Sequence, residues 1–258
     1  MSTDTETPML ELRDVKKAFG DKVVLDGVNI PVKKGRSLVI IGGSGQGKSV
    51  TIKIAIGLMA PDAGQILVDG KDVTRLRGAE RAAHAARFGM LFQGGALFDS
   101  LTIWENVAFR LINADKVPRK DAKDRAVDAL SRVGLPASVA NLYPIELSGG
   151  MQKRAGLARA VVAAPEIIFF DEPTTGLDPI NADVINNLIV EQVKRLGCTA
   201  VSITHDMASA RKIGDEIAML HKGRIVWRGP AADIDHSGNE YVDQFVHGRA
   251  DGPIRVEV

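Results

Sequence analysis

Residues 42–49, GGSGQGKS, place glycines, a lysine and a serine at the spacing of a phosphate-binding loop. Such glycines let backbone N–H groups face phosphates at a helix N-terminus, Lys48 can reach the β- and γ-phosphates, and the Ser49 hydroxyl can ligate Mg²⁺. A glycine-rich turn without a ligand is the alternative, but the predicted strand before the loop and the predicted helix after it favour nucleotide binding. The residues predicted to contact the nucleotide here are Gly42, Gly43, Ser44, Gly45, Gln46, Gly47, Lys48, Ser49 and Val50.

A second motif, IIFFDEP at 167–173, is an apolar run that ends in two adjacent carboxylates. Asp171, at the carboxyl end of a strand beside the phosphate loop, is placed to hold Mg²⁺ through water. Strand alternation predicts that Glu172 points the other way, which suits a base that polarises the attacking water. Paired acids after a strand can also be helix caps, but the upstream phosphate loop favours the catalytic interpretation.

The third motif, LSGGMQKR at 147–154, predicts the start of a helix. Ser148 is a good N-cap residue, and Gly149 and Gly150 leave the first backbone amides open, so an anion can dock on the helix dipole. An SGG cap alone is weak evidence. Its position shortly before the acidic strand, in a chain with a phosphate loop, indicates a second phosphate contact.

These three motifs, in this order, resemble the ATPase subunits of ABC transporters over nearly the whole chain. The resemblance implies that Phe19 stacks on adenine, that Gln93 senses Mg²⁺ and the attacking water, and that His205, in SITHD, contacts the γ-phosphate. It also implies that Asp178, in TTGLD, faces a partner subunit. The implied catalytic residues are Glu172, His205, Gln93, Lys48, Ser148 and Asp178; the metal ligands are Ser49, Gln93 and Asp171; and Phe19, Ser148, Gly149 and Gly150 join the phosphate loop in binding ATP.

The chain has one phosphate loop and one LSGG motif, which has a consequence for assembly. In the family, each ATP lies between the phosphate loop of one subunit and the signature serine of the other. The resemblance therefore implies a two-fold homodimer with two equivalent sites. Hydrolysis removes the γ-phosphate that Ser148 of the partner contacts, and the dimer loosens. The free energy of hydrolysis is therefore converted into an opening and closing motion of the dimer.

Alternating strands and helices are predicted to position these motifs, which makes the fold α/β. Strands are predicted at MLELRDVKKAF, VVLDGVNI, SLVIIGG, QILVDG, EIIFFD and TAVSIT; helices from near Lys48, in DAKDRAVDALSRVGL and near Ala182 to Leu196; and a hairpin in AMLHKGRIVWRG turning at Lys222 and Gly223. The resemblance implies an ABC-type P-loop NTPase with a RecA-like α/β core, an antiparallel β subdomain and an all-helical subdomain at about 102–164. The ATPase domain is predicted over 1–238, and a C-terminal extension that contacts the partner subunit over 239–258.

Composition limits the class of partner. The 258 residues carry 33 basic and 32 acidic side chains, so no basic field predicts nucleic-acid binding. The single cysteine, Cys198, lies in an apolar stretch and is predicted to be a buried small residue. No apolar run approaches the roughly 18 residues that span a bilayer, and the acidic start does not resemble a secretory signal. Membrane contact is therefore expected only through an integral membrane permease.

The stretch FQGGALFDSLTIWENVAF around Gln93 is unusually apolar. In ABC transporters this segment forms a groove for a coupling helix of the permease, which predicts that Leu97, Phe98 and Trp104 are exposed for that partner. The amino-acid sequence of this stretch resembles that of Mla-type phospholipid-transport ATPases, which work with MCE-domain proteins. The segment DQFVHGRADGP at 243–253 resembles their C-terminal extension, which crosses the ATPase dimer. This resemblance implies small STAS-domain subunits as well.

The Mla-type resemblance further implies phospholipid movement between the inner and outer membranes, maintaining outer-membrane lipid asymmetry from the cytoplasmic face of the bacterial inner membrane. Two other classes remain open. A soluble ABC ATPase of DNA repair or translation usually has two cassettes or a coiled-coil insert and a basic face, which this chain lacks. An ABC importer for another small substrate, such as an amino acid or a metal ion, shares all the catalytic residues.

Overall fold

The computed structural model of the protein describes residues 7–255, which form two compact units. Within the described residues, the first unit combines residues 7–85 with 199–255, and the second is Ala86–Cys198. The outer ends of the two predicted ranges, residues 1–6 and 256–258, lie outside the described residues, as does most of the acidic start of the chain. The predicted boundary at residue 239 stays a prediction.

The first unit contains most of the strands. Its elements are β1 (Leu10–Phe19), β2 (Lys22–Val32), β3 (Ser37–Ile41), α1 (Lys48–Ala55), β4 (Ala63–Val68), β5 (Lys71–Asp72), α2 (Gly78–Ala85), β8 (Thr199–Ile203), α7 (Met207–Ile213), β9 (Glu216–His221), β10 (Arg224–Pro230), a 3₁₀ helix (Ala231–His236) and α8 (Glu240–His247). The order β2-β1-β4-β5 makes an antiparallel sheet, and β10-β9-β3-β8 follow one another in a second sheet. These sheets match the predicted antiparallel subdomain and α/β core.

Strand β3 carries the phosphate loop at its carboxyl end. It pairs in parallel with β8 on one side and β9 on the other. Its residues Leu38, Val39, Ile40 and Ile41 are all almost inaccessible, as expected for a central parallel strand covered on both faces. The apolar run SLVII is therefore buried, and the chain emerges from it directly into the glycines of the loop.

The second unit is mostly helical. Its elements are β6 (Phe88–Leu91), α3 (Ile103–Asn113), α4 (Arg119–Arg132), 3₁₀ helices at Ala137–Asn141 and Pro144–Glu146, α5 (Gly149–Val161), β7 (Ile167–Asp171) and α6 (Pro179–Leu196). Strands β6 and β7 pair in parallel. Buried Leu111, Leu130 and Leu157 belong to α3, α4 and α5, whose apolar faces supply the core of this helical segment.

Most predicted elements are confirmed, with small shifts at their ends. Helix α1 begins at Lys48, and the hairpin between β9 and β10 turns at Lys222 and Gly223 as predicted. Helix α6 begins at Pro179, before the predicted Ala182, because the Asp178 carboxylate caps it. Among residues 7–255, no helix combines the length and apolar character needed to cross a membrane.

Candidate functional site

The phosphate loop of the first unit is closed around the side chain of Lys48. Its Nζ donates hydrogen bonds to the carbonyl oxygens of Gly42 at 2.7 Å and Gly43 at 2.9 Å, and the residue is only 8% exposed. The hydroxyl of Thr51 donates to the Gly47 carbonyl at 3.0 Å, which secures the first turn of α1. The ammonium therefore lies inside the curve of the loop, at the N-terminus of a helix, where phosphate oxygens are attracted.

Two glycines of this loop are required by their surroundings. A Cβ on Gly42 would lie 2.2 Å from the carbonyl oxygen of Leu220 on β9, and one on Gly47 would lie 2.9 Å from the carbonyl oxygen of Val24 on β2. Both have positive φ, 147° and 100°. By contrast, a Cβ on Gly45 would meet nothing within 4 Å, so this side of the loop is open to a ligand.

Gln46 anchors the loop to the hairpin between β9 and β10. Its side-chain oxygen accepts a hydrogen bond from the Lys222 backbone N–H at 2.6 Å. In the same turn, the Gly223 carbonyl accepts from the backbone N–H of Asp26 at 2.9 Å. The loop is thus fixed from outside the motif, by contacts that its residue pattern alone does not reveal.

Two further predicted residues of the first unit lie at strand ends. Phe19 closes β1 and is 49% exposed, with the Lys17 ammonium 5.5 Å from its ring centroid. An exposed ring of this kind can stack on a planar base. His205 is exposed between β8 and α7, and the next residue, Asp206, caps α7 through the backbone N–H groups of Ala208 and Ser209.

In the second unit, Asp171 is the last residue of β7 and Glu172 follows it. Strand alternation, on which the predicted direction of Glu172 was based, does not extend to this residue, because the strand ends before it and Glu172 has left-handed φ of 51°. Its carboxylate accepts a hydrogen bond from the Thr175 hydroxyl at 3.0 Å. A non-glycine residue in this conformation is strained, and such strain concentrates at functional sites.

The predicted cap of the LSGG helix is confirmed. The Ser148 hydroxyl accepts from the Met151 backbone N–H at 3.3 Å, and a Cβ on Gly149 would meet nothing within 4 Å. At the start of α6, Asp178 accepts from two backbone N–H groups and from the side-chain amide of Asn181. The Asn181 side chain, followed by these backbone groups, holds the pKa of Asp178 below its ordinary value. Both helix starts therefore carry ordered polar groups at the surface.

Gln93 and Glu172 are brought together by a residue that the motifs did not single out. Lys153 on α5 is 6% exposed, and its Nζ donates to the backbone carbonyl of Gln93 and, at 3.5 Å, to that of Glu172. Burial lowers the pKa of this ammonium, while the negative charges of Glu172 and Asp171 oppose that shift. The signal in the sequence is a lysine on an otherwise apolar face of α5, shared with Gly156, Leu157 and Ala160.

Other polar side chains fix the Gln93 loop, residues 92–102. Arg159 on α5 donates to the carbonyls of Gly95 and Ala96, both at 2.7 Å, and burial lowers its pKa. Buried Asn106 on α3 accepts from the Phe98 N–H at 2.6 Å and donates to carbonyls at the far end of the loop. Polar anchors on two helices therefore determine the path of the loop.

The apolar surface near this loop differs from the prediction at one residue. Phe98 is 45% exposed and stacks on Phe109, 38% exposed, with ring centroids 4.7 Å apart; Leu97 is half-buried. Trp104 was predicted to be exposed but is 7% exposed, because Arg119 and Lys123 lie over its ring. The exposed aromatic pair is Phe98 with Phe109.

The tail helix α8 faces its own unit on one side. Val242 is fully buried, and the Gln244 side chain bonds to the backbone of Ile254 and neighbouring tail residues. Tyr241 packs on the His221 ring, with centroids 5.0 Å apart. Phe245 and Val246 are half-buried, so part of this helix stays accessible.

The residues present fit a magnesium nucleotide. No three His, Cys, Asp or Glu side chains cluster as a metal centre in the part of the chain that the structure describes. Mg²⁺ bound with a nucleotide needs only one or two protein ligands, because phosphates and water supply the rest. Ser49, in the first turn of α1, and Asp171, at the end of β7, offer the hard oxygen atoms that this ion prefers.

Comparison with known proteins adds independent findings. A family model described as ABC transporter matches residues 25–175. The intermembrane phospholipid transport system ATP-binding protein MlaF of Haemophilus influenzae is 38% identical over 96% of this chain and 93% of its own length. The probable ribonucleotide transport ATP-binding protein mkl of Mycobacterium leprae is 38% identical over 97% of this chain and 73% of its own. A solved dimeric ATP-binding cassette in a post-hydrolysis state, bound to ADP and Pi, is 32% identical with a TM-score of 0.79, covering 86% of this chain and 99% of the other.

Proposed function

The chain belongs to the ABC transporter family of ATP-binding proteins, and we propose that it is the ATPase subunit of a complex that moves phospholipids between the inner and outer membranes of a bacterium. As a member of this family it binds ATP with Mg²⁺ and hydrolyses ATP to ADP and phosphate to drive transport. The single observation that supports the cargo is the similarity to MlaF, which extends over 93% of that protein.

In this proposal the first unit binds the nucleotide. Lys48 pairs with the β- and γ-phosphates, the loop N–H groups cradle them, and Phe19 stacks on the adenine. The open side of Gly45 and the helix N-terminus at Lys48 support this assignment. His205 contacts the γ-phosphate.

The second unit supplies the groups that act on water and metal. Asp171 and Gln93 join Ser49 as ligands of Mg²⁺, which when bound neutralises charge on the transferred phosphoryl group. Glu172 accepts a proton from the attacking water, whose oxygen forms the new bond to the γ-phosphorus while ADP leaves. The Thr175 hydrogen bond supports this role because it orients the Glu172 carboxylate without neutralising it.

The chain is proposed to act as a homodimer in which Ser148 and the neighbouring glycines of one subunit contact the ATP of the other, with Asp178 at the interface. A mixed dimer tests this. Pairing a Lys48→Ala chain with a Ser148→Arg chain leaves one intact composite site, whereas pairing the double mutant with wild type damages both sites. Equal residual hydrolysis in the two mixtures would reject sharing.

The exposed aromatic pair Phe98 and Phe109 is proposed to receive the permease of the complex. An apolar patch of this kind marks a protein contact site, and the contact would hold the chain at the cytoplasmic face of the inner membrane. The accessible side of α8 is proposed to pack on the partner ATPase subunit. MCE-domain and STAS-domain subunits complete the proposed assembly, in line with the similarity to MlaF.

The proposal that the cargo is phospholipid can be tested on the intact complex. We expect affinity purification from membranes, followed by mass spectrometry, to recover a permease, MCE-domain and STAS-domain proteins, and bound phospholipid. The name of the mycobacterial relative points to ribonucleotides instead, and an importer for another small substrate is the alternative. A complex without an MCE-domain subunit or lipid would contradict the phospholipid proposal and favour that alternative.

A further inference from the structure

Lys153 is a buried cation that none of the three motifs assigns to a role. It lies five residues after Ser148 on α5 and is 6% exposed. A charge removed from water is unfavourable unless oxygen atoms or opposite charges replace its hydration shell. In this unit the replacement comes from the carbonyls of Gln93 and Glu172, together with the negative charges of Glu172 and Asp171.

Both carbonyl acceptors belong to loops that carry reacting groups. An ammonium has three N–H donors and can join several oxygen atoms at once, so one side chain can hold two loops against one helix. The Glu172 contact, at 3.5 Å, is at the outer limit of a hydrogen bond, and the second acceptor is the Gln93 carbonyl. Both loops are therefore joined to α5 through this one side chain.

The backbone at Glu172 explains why such a tether matters. Its left-handed φ of 51° is strained and needs support from its surroundings. The Thr175 hydroxyl supports the carboxylate, whereas Lys153 supports the peptide carbonyl. The Glu172 carbonyl also accepts from the backbone N–H of Thr175 at 3.3 Å, so loss of Lys153 leaves the turn at 172–175 bonded within itself but removes its hydrogen bond to α5.

We propose that Lys153 is a positioning residue for ATP hydrolysis. It binds the backbone carbonyls of Gln93 and Glu172 and so fixes the positions of these two residues relative to α5. The same helix is capped by Ser148, so movement of the signature end of α5 is transmitted to both loops. This inference rests on the roles given to Gln93 and Glu172 under the proposed function. It assigns Lys153 no contact with ATP.

The test is Lys153→Met in the full-length chain, a change that keeps an unbranched side chain one atom shorter but removes charge and donors. We expect kcat to fall about 10- to 100-fold, the order expected when a reacting group moves by about 1 Å. The dissociation constant for ATP should change less than about threefold, because binding groups are untouched. Lys153→Arg, which retains charge and donors, should regain a large part of the lost rate.

Lys123→Met is the matched control, since it removes an ammonium from the same unit, where Lys123 bonds to the Asn141 side chain at 3.1 Å. It should keep normal kcat. If Lys153→Met does not fold, Lys153→Gln keeps an N–H donor and should still lower kcat at least about fivefold. A kcat within twofold of wild type in a folded Lys153 variant, or equal losses in kcat and ATP affinity, would overturn the proposal.

A double mutant separates this inference from the assignment of the base. In the Glu172→Gln background, Lys153→Met should lower single-turnover hydrolysis only a few-fold, because the base it positions is already absent. An undiminished loss would mean that Lys153 does not position Glu172 and would refute the inference. Near-normal hydrolysis by Glu172→Gln alone would instead reject the role of Glu172, which is a distinguishable result.

Discussion

Gly42→Ala should destabilise the first unit far more than Gly45→Ala, although both glycines belong to the same loop. A Cβ on Gly42 would lie 2.2 Å from the Leu220 carbonyl oxygen and 3.3 Å from its carbon, whereas one on Gly45 would meet nothing within 4 Å. Ordinary carbon–oxygen contacts are no closer than about 3.3 Å. The Gly42 substitution therefore requires the backbone of the loop and the backbone of β9 to move about 1 Å apart.

The magnitude follows from two effects. Overpacking a rigid site destabilises by about 1–3 kcal/mol, and a non-glycine residue at strongly positive φ adds about 1–3 kcal/mol. Gly42, with φ of 147°, has both penalties, for a total of about 2–6 kcal/mol. Gly45, with φ of 73°, has only the left-handed strain of about 1–2 kcal/mol.

Denaturant unfolding followed by tryptophan fluorescence measures the difference. Trp227 lies on β10, in the same unit as Gly42, and Trp104 lies in the other unit, so a Trp104→Phe background makes the signal specific to the first unit. We expect the free energy of unfolding of Gly42→Ala to lie about 2 kcal/mol below that of Gly45→Ala. Equal stability of the two variants would refute the steric account of the loop.

Three other outcomes are expected. Lys48→Ala should weaken ATP binding about 10- to 100-fold with the fold retained, because charged hydrogen bonds contribute about 1.5–3 kcal/mol; unchanged affinity in a nucleotide titration would contradict the role. Phe98→Asp should reduce permease recovery in pull-downs while ATP binding persists, because the new carboxylate would be desolvated there without a partner. Val190→Asp, at another exposed apolar residue, should leave permease recovery unchanged. Wild-type recovery by the Phe98→Asp chain would mean that the permease binds elsewhere. Burial raises the pKa of Cys198 from 9.0 to about 11, so its stabilising contribution is complete below about pH 9 and lost as the pH rises through about 11; a thiol reagent at pH 8 should react only on unfolding, and fast reaction of the folded chain would contradict burial.

The motifs and their supporting elements could be predicted because they are local. The run SLVII, the glycines after it and a helix from Lys48 are adjacent in the chain, so periodicity and turn chemistry are sufficient to predict them. The cap at Ser148 was predictable for the same reason. Helix α2 was not predicted, because it has no buried face and its apolar residues are alanines.

The contacts that fix these motifs could not be predicted, because they join residues distant in sequence. Lys153 and Asn106 each donate a hydrogen bond to a backbone carbonyl. Because any residue can supply a backbone carbonyl, no side-chain pattern in the sequence identifies the donor with its acceptor. The prediction for Trp104 was wrong because Arg119 and Lys123, from the next helix, cover its ring. The direction of the Glu172 side chain could not be predicted from alternation, because the regular strand ends at Asp171.

The central claim, that this chain hydrolyses ATP with Glu172 as the base, is tested most directly by Glu172→Gln. Turnover should fall about 10²- to 10⁴-fold while ATP still binds, and the variant should accumulate as an ATP-bound dimer in size-exclusion chromatography. Glu191→Gln, which alters an exposed glutamate of α6, should behave as wild type. Near-normal hydrolysis by Glu172→Gln would contradict the account.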